Sequence, residues 1–278
     1  MRRFVAALTT LLVACTPSAE SENTAELSIV GDSAVSVESV LDGDSLLAIV
    51  QGREVEIRLL GINAPERGEC WSNEARAALE DAFIDEVLSV VDDEEDQYGR
   101  LLAYLSSGSA NINRRLVLDG YAIAVTVQHE KLPDFLAAEE EAIELGRGLW
   151  NPAACGSTDR RFDVRIRTIE PDAPGRDDRN PNGEFVVLTN EGPDADLTGW
   201  KLRDESSVHR YTFPSGFILA AGEIVTVRSG CGEDTRIDLY WCADGPVWTN
   251  SGDTVLLLDD FGAVADHLRY MEDPEDAP

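Results

Sequence analysis

Basic residues are scarce in this chain. Its 278 residues include 23 Lys and Arg against 53 Asp and Glu, a formal net charge of −30 at pH 7 with a pI near 4.2. A simple electrostatic clamp on nucleic acid is excluded, because such proteins present a basic face, and so is a polybasic membrane binder. Histidine is scarcer still: His129, His209 and His267 lie far apart, and no Cys-x-x-Cys spacing occurs, so a zinc site is not expected. The apolar run at residues 4–14 is too short for a membrane-spanning helix, which takes about 20 residues. What is present is enough for real cores: 43% hydrophobic and 27% charged residues, in a chain of a length that suits two domains. The acidity itself suits solubility in high salt or the retention of divalent cations.

The N-terminus indicates a compartment. Met1-Arg2-Arg3 is a short basic region, residues 4–14 fit the apolar region of a secretory signal, and the run closes on Leu12-Val13-Ala14-Cys15. This order resembles the lipobox of bacterial lipoproteins, in which cleavage leaves the Cys to be lipidated. The reading is therefore a signal peptide at 1–14, lipidation at Cys15 and an acidic flexible tether at 15–34, which places the protein at the cell envelope on a lipid anchor. In an exported chain, Cys70, Cys155, Cys231 and Cys242 read as two disulfides. Three pairings are open; division into two domains favours Cys70–Cys155 and Cys231–Cys242.

Residues 35–40, 45–50 and 54–60 alternate apolar and polar side chains and are separated by turns, as in a β-meander. On 54–60, Val55, Ile57 and Leu59 share one face. Helices are expected at 72–87, 112–118 and 133–145, strands at 88–91 and 101–105, and an acidic loop at 92–96. Strands first with helices inserted late suggests a five-stranded barrel of OB type with packed helices, over residues 35–155. A linker is expected at 156–162. Beyond it, short β-runs at 164–169, 185–189, 197–202, 211–213, 224–227 and 254–258 are separated by Gly, Pro, Asn and Asp, which argues for an all-β sandwich over 163–271, followed by an acidic tail at 272–278. The fold class is thus mainly β with α.

A polar set gathers in the first half. Asp42 and Asp44 flank Gly43 at a hairpin, where the turn leaves one carboxylate able to meet a shared metal. Arg58 lies on the third strand, Asn63-Ala64-Pro65-Glu66 follows it, and Tyr98-Gly99-Arg100 leads into the next strand pair. Singly each has an ordinary surface explanation; jointly on one short barrel they do not.

These stretches, with Arg58-Leu59-Leu60-Gly61-Ile62, Leu101-Leu102-Ala103-Tyr104 and the closing Gly146-Arg147-Gly148-Leu149-Trp150, resemble the staphylococcal nuclease family over residues 40–150. The resemblance implies an OB barrel and calcium-dependent hydrolysis of phosphodiesters in DNA and RNA. It assigns metal ligation to Asp44, to Asn63 where the best-known member has Asp, and to the backbone carbonyl of Ala64. Arg58 and Arg100 become the phosphate clamps and Glu66 the catalytic carboxylate. The chemistry agrees: a hard cation and two Arg forks neutralise charge that grows on phosphorus, and a Glu orients or deprotonates water. Departures are Asn63 itself, which lowers the charge of the metal site and admits another divalent cation, Thr126 and Gln128 where nucleotide-contacting aromatics stand in the best-known member, and Gln97 in place of a usual Lys. Residues 36–150 carry 9 basic and 24 acidic side chains, a net −15.

The second half resembles the lamin-tail family, an immunoglobulin-like sandwich, on Asn182-Gly183-Glu184-Phe185-Val186-Val187-Leu188-Thr189-Asn190, Leu197-Thr198-Gly199-Trp200-Lys201-Leu202, Tyr211-Thr212-Phe213-Pro214 and Asn250-Ser251-Gly252-Asp253-Thr254-Val255. That implies a fold and no chemistry, with Trp200 in the core and the domain's protein partner unspecified. The functional expectation is an envelope lipoprotein that hydrolyses DNA or RNA; the alternative is a non-catalytic nucleic-acid or protein-binding module.

Overall fold

The computed structural model describes residues 33–83, 88–96, 98–157 and 162–272. The expected signal peptide, Cys15, nearly all of the tether, and all but the first residue of the acidic tail lie outside the described residues, as do residues 84–87, Gln97 and the linker residues 158–161.

Strands β1 (Ser33–Val40), β2 (Ser45–Val50) and β3 (Arg53–Leu59) form the expected antiparallel meander. Ile57 and Leu59 are buried with Val55 partly covered, so the alternation read from the sequence defines the inner face. After β4 (Ile62–Asn63) and helix α1 (Ser72–Asp81) come β5 (Leu88–Glu95) and β6 (Leu101–Ser107). The pairing runs β3-β2-β1-β5-β6, and a parallel β3–β6 pairing joins the ends, so five strands close into a barrel. The expected loop at 92–96 is corrected: β5 continues to Glu95, pairing Asp93, Glu94 and Glu95 with Ala103, Leu102 and Leu101 after a bulge. Backbone pairing there overrides the low strand propensity of acidic residues.

Helix α2 (Ile112–Leu118) begins where Asn111 Oδ1 accepts from Arg114 N at 2.8 Å, which satisfies an otherwise unpartnered helix-terminal donor. Helix α3 (Leu132–Glu144) carries Pro133 in its first turn, where a missing N–H costs nothing. The barrel core of Leu46, Ile57, Leu59, Leu105 and Ile112 packs on Leu79 of α1 and Phe135 of α3.

The described second half holds two four-stranded sheets and a two-stranded one, Ala195–Asp196 with Ile218–Leu219. One four-stranded sheet runs Asp238–Tyr240, Ile224–Arg228, Phe185–Asn190, Val164–Glu170; the other runs Arg210–Thr212, Lys201–Arg203, Gly252–Leu258, Val264–Met271. Trp200, Leu202, Phe213, Val225 and Leu257 fill the space between them, and Trp200 is the core residue expected. Strands Asp238–Tyr240 and Val264–Met271 were not expected: the first is short, and the second interleaves Asp266, His267 and Arg269 with its apolar residues. The disulfides are Cys70–Cys155 and Cys231–Cys242.

The two halves share a third core, which the reading of two domains on a linker did not anticipate. Ile123, Ala142, Leu149 and Trp150 of the first half bury Leu256 of the second. Full burial of each large apolar side chain stabilises by about 1.5–3 kcal/mol, against about 1 kcal/mol for a hydrogen bond, so each such contact outweighs a single hydrogen bond at the docking surface. Strand Gly252–Leu258 serves both sides: Val255 and Leu257 face their own sandwich, while Leu256 faces the barrel. Arg269 adds a buried ion pair to Glu139 on α3 and donates from Nη2 to Ala124 O at 3.0 Å.

Candidate functional site

The hairpin between β1 and β2 sets the first ligand. Asp42 Oδ1 accepts from Asp44 N at 3.1 Å, which shapes the turn, and Asp44 is 5% exposed while Asp42 stays at the surface edge. One carboxylate points into the site, as the turn geometry required. Gly43 is needed for the approach: a Cβ there would stand 2.6 Å from Ala64 Cβ and 2.7 Å from Ala75 Cβ. The hairpin therefore lies directly on the Asn63–Pro65 segment and on α1.

Asp44 connects the expected residues. Its Oδ2 accepts from Ala64 N at 2.6 Å, and its Oδ1 is ion-paired with Arg58 Nη1. Arg58 Nη2 donates to Asn63 Oδ1 at 2.6 Å. Asp44, Arg58, Asn63 and Ala64, spread over 20 residues of sequence, thus form one contiguous unit. Burial pushes the Asp44 carboxyl up to about 6 even with Arg58 and the Ala64 N–H opposing it. Its negative charge is under-compensated by the protein alone, which makes this a place that favours an added cation.

Glu66 and Arg100 sit at the edge of that unit. Glu66 is exposed on the loop after β4, and its N–H donates to Glu69 Oε2 at 2.8 Å. Arg100 immediately precedes β6, whose Leu101 is paired with Ile57 of β3, one residue before Arg58. The two arginines therefore emerge from neighbouring strands. Arg100 is held by Asp96 through Nε at 2.9 Å and Nη2 at 2.8 Å, and its guanidinium lies 5.6 Å from the Tyr98 ring centroid. Burial is the largest single influence and opposes, yet hydrogen bonds from Arg100 and Tyr98 and the Arg100 charge together hold Asp96 below the usual carboxylate range.

The residues suit a hard divalent cation as a small oxygen set. Asp44 supplies a carboxylate and Asn63 an amide oxygen, and both already converge on the positive charge of Arg58. Among the described residues no three His, Cys, Asp or Glu side chains surround one point, so most of a six- to eight-oxygen shell of about 2.4 Å would come from backbone and water.

Sequence reasoning missed the contribution of the second half. Asn63 Nδ2 donates to Glu205 O at 2.8 Å and Ser207 Oγ at 2.9 Å. Glu205 Oε1 accepts from Thr126 N and Thr126 Oγ1, and its Oε2 accepts from Thr254 Oγ1 at 3.1 Å. Arg203 and Arg210 both reach Glu69, at 3.4 and 3.0 Å. The segment Arg203–Arg210 is thus laid against the loop that carries Asn63 and Glu66. One signal was available: Val255-Leu256-Leu257-Leu258 is a continuous apolar run, the mark of a strand covered on both faces.

Family models agree with this division. A staphylococcal nuclease homologue model matches residues 56–152 and a lamin tail domain model matches 158–272. An uncharacterized endonuclease of Haemophilus influenzae is 31% identical over 115 residues, 41% of this chain and 64% of that protein. A micrococcal nuclease of Shigella flexneri is 30% identical over 122 residues, 40% of this chain and 70% of that protein. An uncharacterized endonuclease of Escherichia coli O157:H7 is 30% identical over 115 residues, 74% of its length. The likeness spans just under two thirds of the Haemophilus protein, and the nuclease family model covers Arg58, Asn63, Glu66 and Arg100 while starting after Asp44. The chain belongs to the staphylococcal nuclease homologue family and carries a lamin tail domain after its barrel.

Proposed function

We propose that the protein hydrolyses phosphodiester bonds of DNA or RNA with the aid of a divalent cation, calcium being the first candidate. The observation that carries this is the joint unit of Asp44, Arg58, Asn63 and Ala64, with Glu66 exposed beside it and Arg100 emerging from the neighbouring strand. Asp44 and Asn63 would hold the cation, with the Ala64 carbonyl as a further donor. When bound, it supplies positive charge that neutralises a phosphate oxygen. Arg58 and Arg100 have forked donors that match phosphate oxygens, and both are kept in place by carboxylates until a phosphate exchanges for them. Their donors stabilise charge that increases as phosphorus becomes five-coordinate. Glu66, in water and beside the site, orients the attacking water and takes its proton.

The test is initial rate on DNA and on RNA, with calcium, with chelator and across monovalent salt at saturating metal. The net −15 of residues 36–150 repels a polyanion, so salt first raises the rate as the Debye length shortens from about 30 Å at 0.01 M to about 10 Å at 0.1 M. A steady decline from the lowest salt would show that local Arg contacts control encounter. No hydrolysis under any condition favours the non-catalytic binding module, a reading that the tie between Asn63 and the Glu205–Ser207 segment supports.

The same proposal places the protein at the bacterial envelope on a lipid at Cys15, supported by the order of basic, apolar and small residues before that Cys. Cys15→Ser is expected to release the protein from the membrane fraction or leave an unprocessed precursor. Unchanged processing and membrane association would rule the anchor out.

A further inference from the structure

Beside Asn63 and Pro65, between the barrel and the lamin tail domain, lies a cavity of about 420 Å³. That is within the size range of sites for small ligands and single nucleotides. Its charge runs against the rest of the chain. Four of its lining residues are basic, Arg67, Lys201, Arg203 and Arg210, against two that are acidic, Glu69 and Asp260. The whole sequence has more than twice as many acidic as basic residues.

The cations are set up for an anion. Arg203 is 5% exposed, and its Nη1 is engaged by Ser207 Oγ and Glu69 Oε2 while its Nε–H has no partner. A buried donor left unmatched is costly, and more so on a charged group. Burial holds the Arg203 pKa below the ordinary arginine value in spite of Glu69. Arg67 and Lys201 are exposed and make no ion pair among the described residues. At the rim stands Phe261, 54% exposed. Cations that track a backbone and an aromatic face on which bases stack are the combination that holds single-stranded nucleic acid.

We propose that this interdomain cavity is a subsite for a single-stranded nucleic-acid segment adjoining the phosphate at Arg58, with Lys201, Arg203, Arg210 and Phe261 supplied by the lamin tail domain. The inference rests on the nuclease reading and adds where the substrate runs. Continuity with the site passes through one residue: Asn63 lines the cavity, and its Oδ1 accepts from Arg58 Nη2 at 2.6 Å. It also explains how a barrel of net −15 holds a polyanion. Three of the four cations come from the other domain, which at the same time buries Thr126 of the barrel under Glu205.

The experiment uses the intact chain in chelator, so that cleavage does not intervene, and follows the fluorescence anisotropy of a labelled single strand of about eight nucleotides. The pair Arg67→Glu with Lys201→Glu is expected to raise Kd at least about tenfold and to flatten its salt dependence. Phe261→Ala is expected to raise Kd by about 5- to 100-fold through lost stacking. Arg76→Glu with Arg115→Glu, on the exposed faces of α1 and α2, makes the same change of charge away from the cavity and is expected to have little effect. Equal weakening by both charge pairs would mean that the global field alone is felt, and would overturn the proposal. Displacement of the strand by inorganic phosphate at matching concentration, with Phe261→Ala silent, would make the cavity an anion site only and overturn it as well. A wild-type chain that cleaves while its cavity variants bind and cleave normally refutes the subsite and keeps the nuclease reading. One that binds through the cavity yet cleaves nothing with any metal keeps the subsite and refutes that reading.

Discussion

Asn63 Nδ2 donates to Ser207 Oγ at 2.9 Å, across 144 residues of sequence and between two domains. The same side chain accepts from Arg58 through Oδ1. One amide therefore ties Arg58 to the lamin tail domain. An Asp at this position offers only acceptors and cannot make the two Nδ2 bonds.

Asn63→Asp consequently has two opposed effects. It adds a carboxylate beside Asp44, so calcium affinity is expected to rise in a titration by calorimetry. It also removes the donors to Glu205 O and Ser207 Oγ, which is expected to cost about 1–3 kcal/mol of stability without metal. Calcium should restore part of that loss. A variant with unchanged metal affinity and unchanged unfolding would show that neither role belongs to this amide.

Arg58→Ala and Arg100→Ala are each expected to lower the rate at least about 100-fold with the barrel still folded. Arg58→Ala should also expose a cost in the resting protein, because Asp44 loses its only ion-pair partner among the described residues. Circular dichroism with initial rates separates the two effects, and near-normal activity in either variant would remove that residue from the site.

Removing Cys70–Cys155 closes the question of what pins the site loop. The bridge spans 85 residues and fastens the segment after Trp150 to the loop that follows Glu66. The Cys70→Ser, Cys155→Ser variant is expected to lose about 2–5 kcal/mol in denaturant unfolding. Peptide mapping that joins Cys70 to Cys231 or Cys242 would refute the pairing.

Arg269→Ala leaves Glu139, 1% exposed at its side chain, without its cation. Breaking a buried pair on one side is expected to cost about 3–5 kcal/mol. The loss should appear as separation of one unfolding transition into two, since this pair joins helix α3 to the second domain.

Stability also depends on pH at the interface. Burial pushes Asp253 up to about 7 and raises Glu205 above the ordinary carboxylate range, with hydrogen bonds opposing in both. Between pH 3.8 and about 7 the folded Asp253 holds a proton that the unfolded chain releases. The stability from Asp253 is complete below the unfolded value of 3.8 and is lost as pH rises through about 7. The melting temperature is therefore expected to be higher at pH 5.5 than at pH 8, and Asp253→Asn should shrink that difference; an equal difference in the variant would exclude Asp253 as its source.

Much of the barrel was legible because its signals are local. The alternation of Val55, Ile57 and Leu59 and the turn at Asp42-Gly43-Asp44 each act within a few residues, and β2 and α2 fall where the pattern puts them. The site residues were legible as a set, since Asp44, Arg58 and Asn63 lie near one another along the chain and on adjoining elements. The acidic strand to Glu95 and the polar strand Val264–Met271 were not, because their partners, β6 and Gly252–Leu258, hold them in place by backbone pairing that side-chain patterns do not record.

The sequence by itself determined two β-rich halves and a polar set around Asp44 and Arg58, and it favoured one of three disulfide pairings. Only the tertiary structure decided that the halves are not independent. Leu256 turns to the barrel while Leu257 turns to its own sandwich, and this choice between two covered faces is made by docking, not by the period of the strand. Docking then brings Arg203, Arg210 and Phe261 to the loop of Glu66, a convergence of charge and aromatic surface from residues some 140 to 195 positions apart. No local rule encodes that meeting, because it depends on apolar surface and polar contacts that both domains bring together.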